Sequence, residues 1–186
     1  MARWEPDARG RLVAAALELY AEHGFDETTV AEIAARAGVT ERTFFRHFAD
    51  KREVLFDGNP LREALASAIA EAEDDAPLAL AAAGALGMAG VLGAGGRREL
   101  AAKRAGVVAS NAGLQERELL KMASLAEAAT DALHARGVED PAARLAVDVA
   151  IAAFRAGFAA WIADPNGPEM VDCVRDALDR LRRLMA

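Results

Sequence analysis

The stretch from Thr28 to Lys51, TTVAEIAARAGVTERTFFRHFADK, most constrains what this chain can fold into. Thr29 and Glu32 have the spacing of a capping box, which predicts that a helix begins there. Gly38 falls where the end of that helix needs a residue that tolerates a positive φ. Thr40 can then cap a second helix. The stretch is therefore predicted to form two short helices joined by a tight turn.

The second of these helices, Glu41 to Phe48, is predicted to have two different faces. On a helical wheel Phe44 and Phe48 point inward together, and Arg42 and Arg46 project from the opposite side. Helix–turn–helix proteins read DNA with a helix of this kind, because its inner face fixes the docking angle and its outer face presents donors to base edges. The wheel therefore predicts a helix that enters the major groove.

The candidate DNA contacts come from the same stretch. The two arginines are the candidates for base edges or phosphates, and the ring on the flank of the helix is the candidate for a thymine methyl group or a sugar. Hydroxyl, imidazole and ammonium groups are the candidates for phosphates. A repeat of the capping spacing at Asp50 and Glu53 also predicts a third helix that Lys51 opens. The whole candidate set is Thr29, Thr40, Arg42, Thr43, Phe45, Arg46, His47 and Lys51.

A longer stretch, AAALELYAEHGF followed by DETTVAEIAARAGVTERTFFRHFADKREVL, resembles the N-terminal domain of the TetR family of bacterial transcriptional regulators. The resemblance covers Arg9 to Phe56, with TTV, IA-x-x-AGV-T, TF-aromatic-RHF and K-x-x-L all in register. It implies a homodimer whose second domain holds a small-molecule pocket, and repression is the usual mode of the family. The usual tyrosine of the family is Phe45 here, so a hydroxyl that commonly bonds DNA is missing.

Length and composition set the outer limits of this interpretation. The 186 residues can hold one large or two small domains, and the cluster Asp57–Gly58–Asn59–Pro60 is the expected boundary between domains at 1–57 and 58–186. The single Cys173 excludes an internal disulfide and a cysteine-based zinc site. No apolar stretch of signal-peptide type follows Met1, so we expect a cytoplasmic protein. The net charge of −7 argues against binding nucleic acid through bulk positive charge. A sequence-specific DNA-binding protein with this charge would need a locally basic surface.

The stretch Ala76 to Gly96 carries no charge, and its length meets the criterion for a membrane span. Its residues are mostly alanine and glycine, which favour membrane insertion far less than leucine, isoleucine, phenylalanine and valine. We therefore expect a buried central helix of the second domain and no membrane association. A phosphate-binding loop is a weak match, because no strand precedes the glycines and no Gly-Lys-Ser/Thr follows them.

The two final helices are candidates for a dimer interface. The helix from Ala142 to Ala163 is apolar nearly all round, and the last helix has apolar residues at a/d-like spacing. A monomer of this size has few other elements to cover both, so we expect them to pair with their copies in a twofold four-helix bundle, as the resemblance also implies. The candidate interface residues are Phe154, Met170, Val174, Leu178, Leu181 and Met185.

Candidate ligand contacts in the second domain follow from composition alone. Met88, Met122, Phe154, Phe158 and Trp161 could line an apolar cavity, although such a set at helical spacing is more often plain core. The three histidines lie far apart without metal-ligand spacing, and no serine has a nucleophile-elbow pattern. We expect no catalytic residues, no metal site and no cofactor, so the protein is not an enzyme.

Together these observations predict an all-α protein with an N-terminal three-helix DNA-binding domain and a larger C-terminal helical domain for ligand binding and dimerisation. The expected function is a sequence-specific repressor that a small, mostly apolar effector releases from a near-palindromic operator in double-stranded DNA. The alternative is a helical protein-interaction or membrane-associated module without specific DNA binding.

Overall fold

The computed structural model describes residues 7–56 and 59–185, without the side chains of Asn59 and Met185. Within these residues the chain forms α-helices and short 3-10 turns and no strand, which confirms the predicted all-α class. The α-helices are α1 (Ala8–His23), α2 (Val30–Arg36), α3 (Glu41–His47), α4 (Asn59–Glu71), α5 (Pro77–Gly93), α6 (Arg98–Ala109), α7 (Ala112–Ala135), α8 (Ala142–Ala163) and α9 (Met170–Met185).

The turn between α2 and α3 forms as the sequence predicts. Thr29 and Glu32 make both hydrogen bonds of the capping box, and the Thr40 hydroxyl accepts from the Thr43 amide at 3.2 Å. Gly38 has a φ of 68°, so the helix ends in a left-handed residue that a β-carbon would strain. The amide of Val39 then bonds the Ala34 carbonyl at 2.9 Å, which satisfies a free carbonyl at the end of α2.

The predicted third helix starting at Lys51 is wrong. Asp50 does accept from the amides of Arg52 at 2.7 Å and Glu53 at 3.0 Å, but only a 3-10 turn follows, at Glu53–Leu55. The Lys51 carbonyl accepts a hydrogen bond from the Tyr20 hydroxyl at 2.6 Å. A distant side chain therefore takes the acceptor that a first helical turn would have used, and α4 begins later.

The chain divides into two compact units. The first combines residues 1–57 with Leu100–Glu118, and the second combines Gly58–Glu99 with residues 119–186. The segment 100–118 therefore joins the N-terminal helices, whereas the sequence placed it in the second domain; the division at residue 57 stays a prediction. Three residues of this segment, Val107, Val108 and Leu114, lie in the same buried cluster as Leu12, Leu17, Tyr20, Ile33, Phe44 and Phe48.

In the second unit α5 packs against α4, α8 and α9. Its glycines permit the close approach: a β-carbon on Gly87 would lie 2.7 Å from the Ala64 carbonyl oxygen and 2.7 Å from the Ala68 β-carbon. The expected central position of this uncharged helix is thus observed. Two stretches, Pro77–Gly96 and Ala142–Ala163, are long and apolar enough to cross a membrane by length and composition, a criterion that core helices of soluble proteins also meet.

Helices α8 and α9 pack closely on each other within one chain. A β-carbon on Gly157 would lie 2.6 Å from the α-carbon of Val174, so only glycine fits at this crossing. Pro141 is the N-cap of α8 and makes no side-chain capping hydrogen bond. The carboxylate of the preceding residue, Asp140, bonds His134 and Arg144, each at 3.0 Å, and these two partners hold its pKa below the ordinary value.

Candidate nucleic-acid interface

Helix α3 is held by aromatic side chains on its inner face. Phe44 is completely buried and Phe48 is 4% exposed, and their ring centroids lie 5.6 Å apart. Burying each ring contributes about 2–3 kcal/mol, so α3 has a fixed rotation about its own axis. This confirms the inward face that the helical wheel predicts, and it determines which residues α3 presents outward.

The outward face of α3 carries two exposed guanidinium groups and one exposed ring. Arg42 and Arg46 are exposed, and neither has a hydrogen bond or ion pair with any residue that the structure describes. Phe45 is 55% exposed and packs only its edge against Phe44, with centroids 5.4 Å apart. One helix face therefore presents an apolar ring and ten N–H donors that no described residue uses. The donors can bond phosphates or guanine edges, and the ring can contact a thymine methyl group.

The three threonines of the candidate set serve first as helix caps. The Thr29 hydroxyl donates to a Glu32 carboxylate oxygen at 2.8 Å and accepts from the Glu32 amide at 3.2 Å. The hydroxyls of Thr40 and Thr43 lie 3.1 Å apart and share one hydrogen bond. Thr29 therefore has little capacity left for a phosphate, whereas the Thr40–Thr43 pair at the start of α3 keeps acceptor and donor capacity.

Lys51 is placed differently from what the phosphate assignment requires. Its ammonium group donates to the carbonyl oxygens of Phe25 at 2.9 Å, Asp26 at 3.0 Å and Thr28 at 2.8 Å. It also lies 4.5 Å from the centroid of the Phe25 ring. Because an ammonium group has three donors, these contacts use all of them. The geometry gives Lys51 the role of fixing the loop between α1 and α2, so we leave it out of the proposed DNA contacts.

His47 and Arg9 complete this end of α3. The Nε2 atom of His47 is buried without a hydrogen-bond partner among the described residues, so in this conformation it cannot reach a phosphate. Arg9 places its guanidinium 4.8 Å from the centroid of Phe48 and so brings a further positive charge to the C-terminal end of α3. Sequence reasoning missed Arg9, because no local pattern connects it with a ring so far along the chain.

The predicted ligand residues do not form one site. The second unit contains a cavity of about 10 Å³, which is room for about one water molecule. Met88 lines it, but Met122, Phe154, Phe158 and Trp161 do not. The lining is entirely apolar and comes from α4, α5, α7 and α8: Leu65, Ala81, Ala85, Met88, Ala129, Val147, Ala150 and Ile151.

Most of the predicted dimer residues are already covered within one chain. Met170 and Val174 are completely buried, Leu178 is 4% exposed and Phe154 is 5% exposed. Helices α5, α8 and α9 pack on one another, and the sequence did not assign α5 to this task. These four side chains therefore cannot also cover a partner. Leu181 is half-buried, and the side chain of Met185 lies outside the described residues.

Comparison with known families matches the geometry of the first unit. Residues 12–57 match the model of bacterial regulatory proteins of the tetR family. The HTH-type transcriptional regulator TcmR of Streptomyces glaucescens is 52% identical over 46 residues, which cover 25% of this chain and 20% of TcmR. The matched segment thus spans about a fifth to a quarter of the length of the curated relatives.

The whole chain is similar in fold to solved regulators. One is SmeT, the repressor of a Stenotrophomonas maltophilia multidrug efflux pump, in complex with triclosan. The match has a TM-score of 0.60 at 23% identity, and it covers 93% of this chain and 88% of SmeT. FadR of Bacillus subtilis in complex with stearoyl-CoA has a TM-score of 0.58 at 20% identity and covers 91% of this chain and 95% of FadR. At these identities the likeness shows the fold alone.

Proposed function

We propose that the chain belongs to the TetR family of bacterial regulators through its N-terminal domain, and that it is a sequence-specific DNA-binding transcriptional regulator that acts in the cytoplasm as a homodimer. The observation that carries the proposal is the outer face of α3. Two arginines without partners among the described residues stand beside an exposed ring, on a helix whose rotation two buried phenylalanines fix. A purely structural helix has no need of such a face.

The proposed DNA contacts are of two kinds, those that recognise bases and those that position the protein on the DNA backbone. Arg42 and Arg46 bond base edges or phosphates, and Phe45 contacts a thymine methyl group or a sugar. The Thr40–Thr43 hydroxyl pair and Arg9 face the backbone of the DNA and set the register. The net charge of −7 limits non-specific attraction, so the affinity should depend on the right sequence and fall steeply with salt.

The homodimer requires a surface other than the buried stripe of α9. Apolar residues that remain uncovered on α8 recur every three or four residues, which is the spacing of a helix-packing seam. Leu145, which is 67% exposed, stands at one end of this seam. The proposed seam consists of Leu145, Val149, Ala152, Ala156, Ala159 and Ala163, with Leu181 and Leu184 contributed by α9. Two copies related by a twofold axis would then read two half-sites.

The proposed effector is small and mostly apolar, and it acts by releasing the DNA. The cavity in the second unit supports this, because its lining contains no charged or polar side chain. A drug-sized ligand needs about 300–1,000 Å³, so its entry must push the surrounding helices apart. Such a ligand binds one conformation of the protein better than another, which is the thermodynamic requirement for controlling DNA binding. The bound triclosan and stearoyl-CoA of the two structurally similar regulators are consistent with apolar effectors.

The proposal is tested by DNA binding of matched arginine variants. A duplex is first selected from a random pool by the purified protein, and fluorescence anisotropy then measures its affinity beside a scrambled duplex. We expect Arg46→Ala to weaken binding by about 1–3 kcal/mol per lost base contact, which is roughly 5- to 150-fold. Arg97→Ala is the control, because Arg97 is equally exposed but lies outside the first unit.

Each outcome decides a part of the proposal. An enriched inverted repeat that Arg46→Ala weakens and Arg97→Ala does not would support both the reading helix and the twofold dimer. An enriched site without inverted symmetry would refute the dimer geometry. If no sequence is enriched at all, the regulator proposal fails, and the protein-interaction module becomes the better account of the N-terminal unit.

A further inference from the structure

The exposed residues of α3 form two rows along the helix. Glu41 and Phe45 make one row, and Arg42 and Arg46 make the other, while the remaining side chains of the helix are half-buried or buried. Residues four positions apart on a helix are neighbours, with β-carbons about 5–6 Å from each other. A carboxylate and a ring therefore lie along one side of the two guanidinium groups.

The Glu41 carboxylate has no partner within the part of the chain that the structure describes. The side chain that follows it in its own row is the Phe45 ring, which has no hydrogen-bond donor. Arg42 and Arg46 form no ion pair with it either. Both oxygens of this carboxylate therefore keep their full capacity to accept hydrogen bonds.

Most acidic side chains of residues 7–56 do have a partner in the fold. Glu18 and Glu22, for example, pair with Arg36 at 3.3 Å and 3.0 Å. The other acidic residues with a hydrogen bond or ion pair are Asp7, Asp26, Glu32, Asp50 and Glu53. Within this range Glu27 and Glu41 have none among the described residues, and Glu27 lies in the loop before α2. Glu41 is thus an unpaired carboxylate on the face of α3 that also carries the two arginines.

The chemistry of a carboxylate limits what it can contact in the major groove. Its oxygens only accept hydrogen bonds, and the negative charge is repelled by DNA phosphates. The N7 and O6 atoms of guanine and the O4 atom of thymine are acceptors, so a carboxylate is repelled by both edges. Adenine has an amino group with the acceptor N7 beside it, whereas cytosine presents only its N4 amino group. A carboxylate therefore matches the edge of cytosine best.

We propose that Glu41 is a specificity-determining residue that recognises a cytosine through its N4 amino group. The inference rests on the proposed DNA-binding function and adds one base to the sequence that α3 reads. At a cytosine the carboxylate accepts a hydrogen bond from the amino group. At guanine or thymine it meets an acceptor, and nothing offsets its repulsion from the phosphates. Glu41 therefore acts mainly by disfavouring the wrong bases.

The alternative is a structural role, because an acidic side chain in the first turn also stabilises a helix. The substitution Glu41→Gln separates the two roles. Glutamine has nearly the same shape, but its amide matches the N6 and N7 atoms of adenine. Loss of the charge can change the stability of the protein and its overall affinity for DNA under either role. A change in the preferred base follows only from direct recognition.

The experiment selects duplexes from a random pool with three purified proteins in parallel: the unsubstituted protein, Glu41→Gln and Glu27→Gln. Glu27→Gln is the matched control, because it removes the same charge from an exposed side chain of the same unit that lies outside α3. We expect the unsubstituted protein and the control to enrich the same sequence. Glu41→Gln should enrich a sequence in which one cytosine is replaced by adenine.

Fluorescence anisotropy then measures the affinity of each protein for two duplexes that differ only in this base pair. The unsubstituted protein and Glu27→Gln should prefer the cytosine duplex by about 5- to 150-fold, the usual range for one base contact. Glu41→Gln should prefer the adenine duplex. Partial unfolding or a general change in charge would alter both affinities by the same factor, so neither can reverse the preference.

Two results would overturn the inference. One is enrichment of the same sequence by Glu41→Gln and by the unsubstituted protein, which would leave Glu41 only its role in the helix. The other is a changed base at a position where the unsubstituted protein selects no cytosine. Failure of the unsubstituted protein to enrich any duplex would instead refute the proposed DNA-binding function. The two kinds of failure are therefore distinguishable.

Discussion

Replacing Lys51 by methionine tests whether this residue holds the fold or contacts DNA. The ammonium group is hydrogen-bonded to three carbonyl oxygens of the loop between α1 and α2, at 2.8 to 3.0 Å. Hydrogen bonds to charged groups contribute about 1.5–3 kcal/mol each, and because these are partly exposed we count about 1 kcal/mol for each. The substitution should therefore lower the free energy of unfolding by about 3 kcal/mol, a large part of the 5–15 kcal/mol typical of a domain.

Urea unfolding, followed by circular dichroism at fixed protein concentration, measures this loss. Arg52→Met is the matched control, since Arg52 is adjacent in sequence and its ion pair with Asp50 at 3.3 Å is exposed on both sides. Such pairs contribute about 0–1 kcal/mol. The expected order is thus a large loss for Lys51→Met and a small one for Arg52→Met.

The salt dependence of DNA binding provides the refuting result. A phosphate contact contributes about one unit to the slope of log affinity against log salt concentration. Folded Lys51→Met protein should keep the slope of the unsubstituted protein. If the slope falls by about one unit per subunit while the stability is unchanged, Lys51 contacts phosphate and the loop-fixing role is refuted.

Two further predictions concern stability. Gly157→Ala should destabilise the protein by about 1–3 kcal/mol, because the added carbon overpacks against Val174. Gly106→Ala should stabilise α6 by about 0.5–1 kcal/mol, because nothing lies within 4 Å of the added carbon. Thermal unfolding of both variants measures the two effects, and equal effects would contradict the close α8–α9 crossing. Burial, and to a lesser extent the Asp50 carboxylate, raises the pKa of Tyr20. The tyrosine therefore ionises first in the unfolded chain, and the free energy of unfolding should fall above about pH 10. Tyrosinate absorbance of this single tyrosine should stay absent until the protein unfolds, and ionisation of the folded protein at about pH 10 would refute the buried hydroxyl.

The parts of the site that the sequence predicts well are those that local contacts determine. A capping box connects two residues three positions apart, and the positive φ of Gly38 is required by the end of the helix that it follows. The faces of α3 follow from helical periodicity once the helix is known. These interactions connect residues within one or two turns, and a single sequence contains all the information that they need.

The role of a residue with distant partners could not be predicted in the same way. Lys51 bonds carbonyls more than twenty residues earlier in the chain, and Arg98 bonds a turn more than sixty residues later. Every residue has a backbone carbonyl, so the sequence does not indicate which carbonyls accept a side-chain hydrogen bond. The charge of a lysine beside a reading helix therefore suggested a phosphate contact, whereas the fold directs it inward.

The dimer residues show a related limit. Periodicity correctly indicates that Met170, Val174 and Leu178 must be covered, and all three are buried. It does not indicate what covers them. The weakly patterned, glycine-containing α5 performs this task within the same chain, since small residues let helices approach closely. The surface proposed for a second copy is the opposite face of α8, which is mostly alanine and therefore has a weaker hydrophobic pattern in the sequence.

The central claim is that the outer face of α3 reads a specific DNA sequence. Selection of duplexes from a random pool by the purified protein, followed by sequencing, tests it most directly. We expect enrichment of an inverted repeat whose half-sites contain guanines, because arginine bonds the major-groove edge of guanine with two donors. The same selection with Arg42→Ala/Arg46→Ala should lose that enrichment. An unenriched pool, or an identical enriched sequence with both arginines removed, would contradict the account.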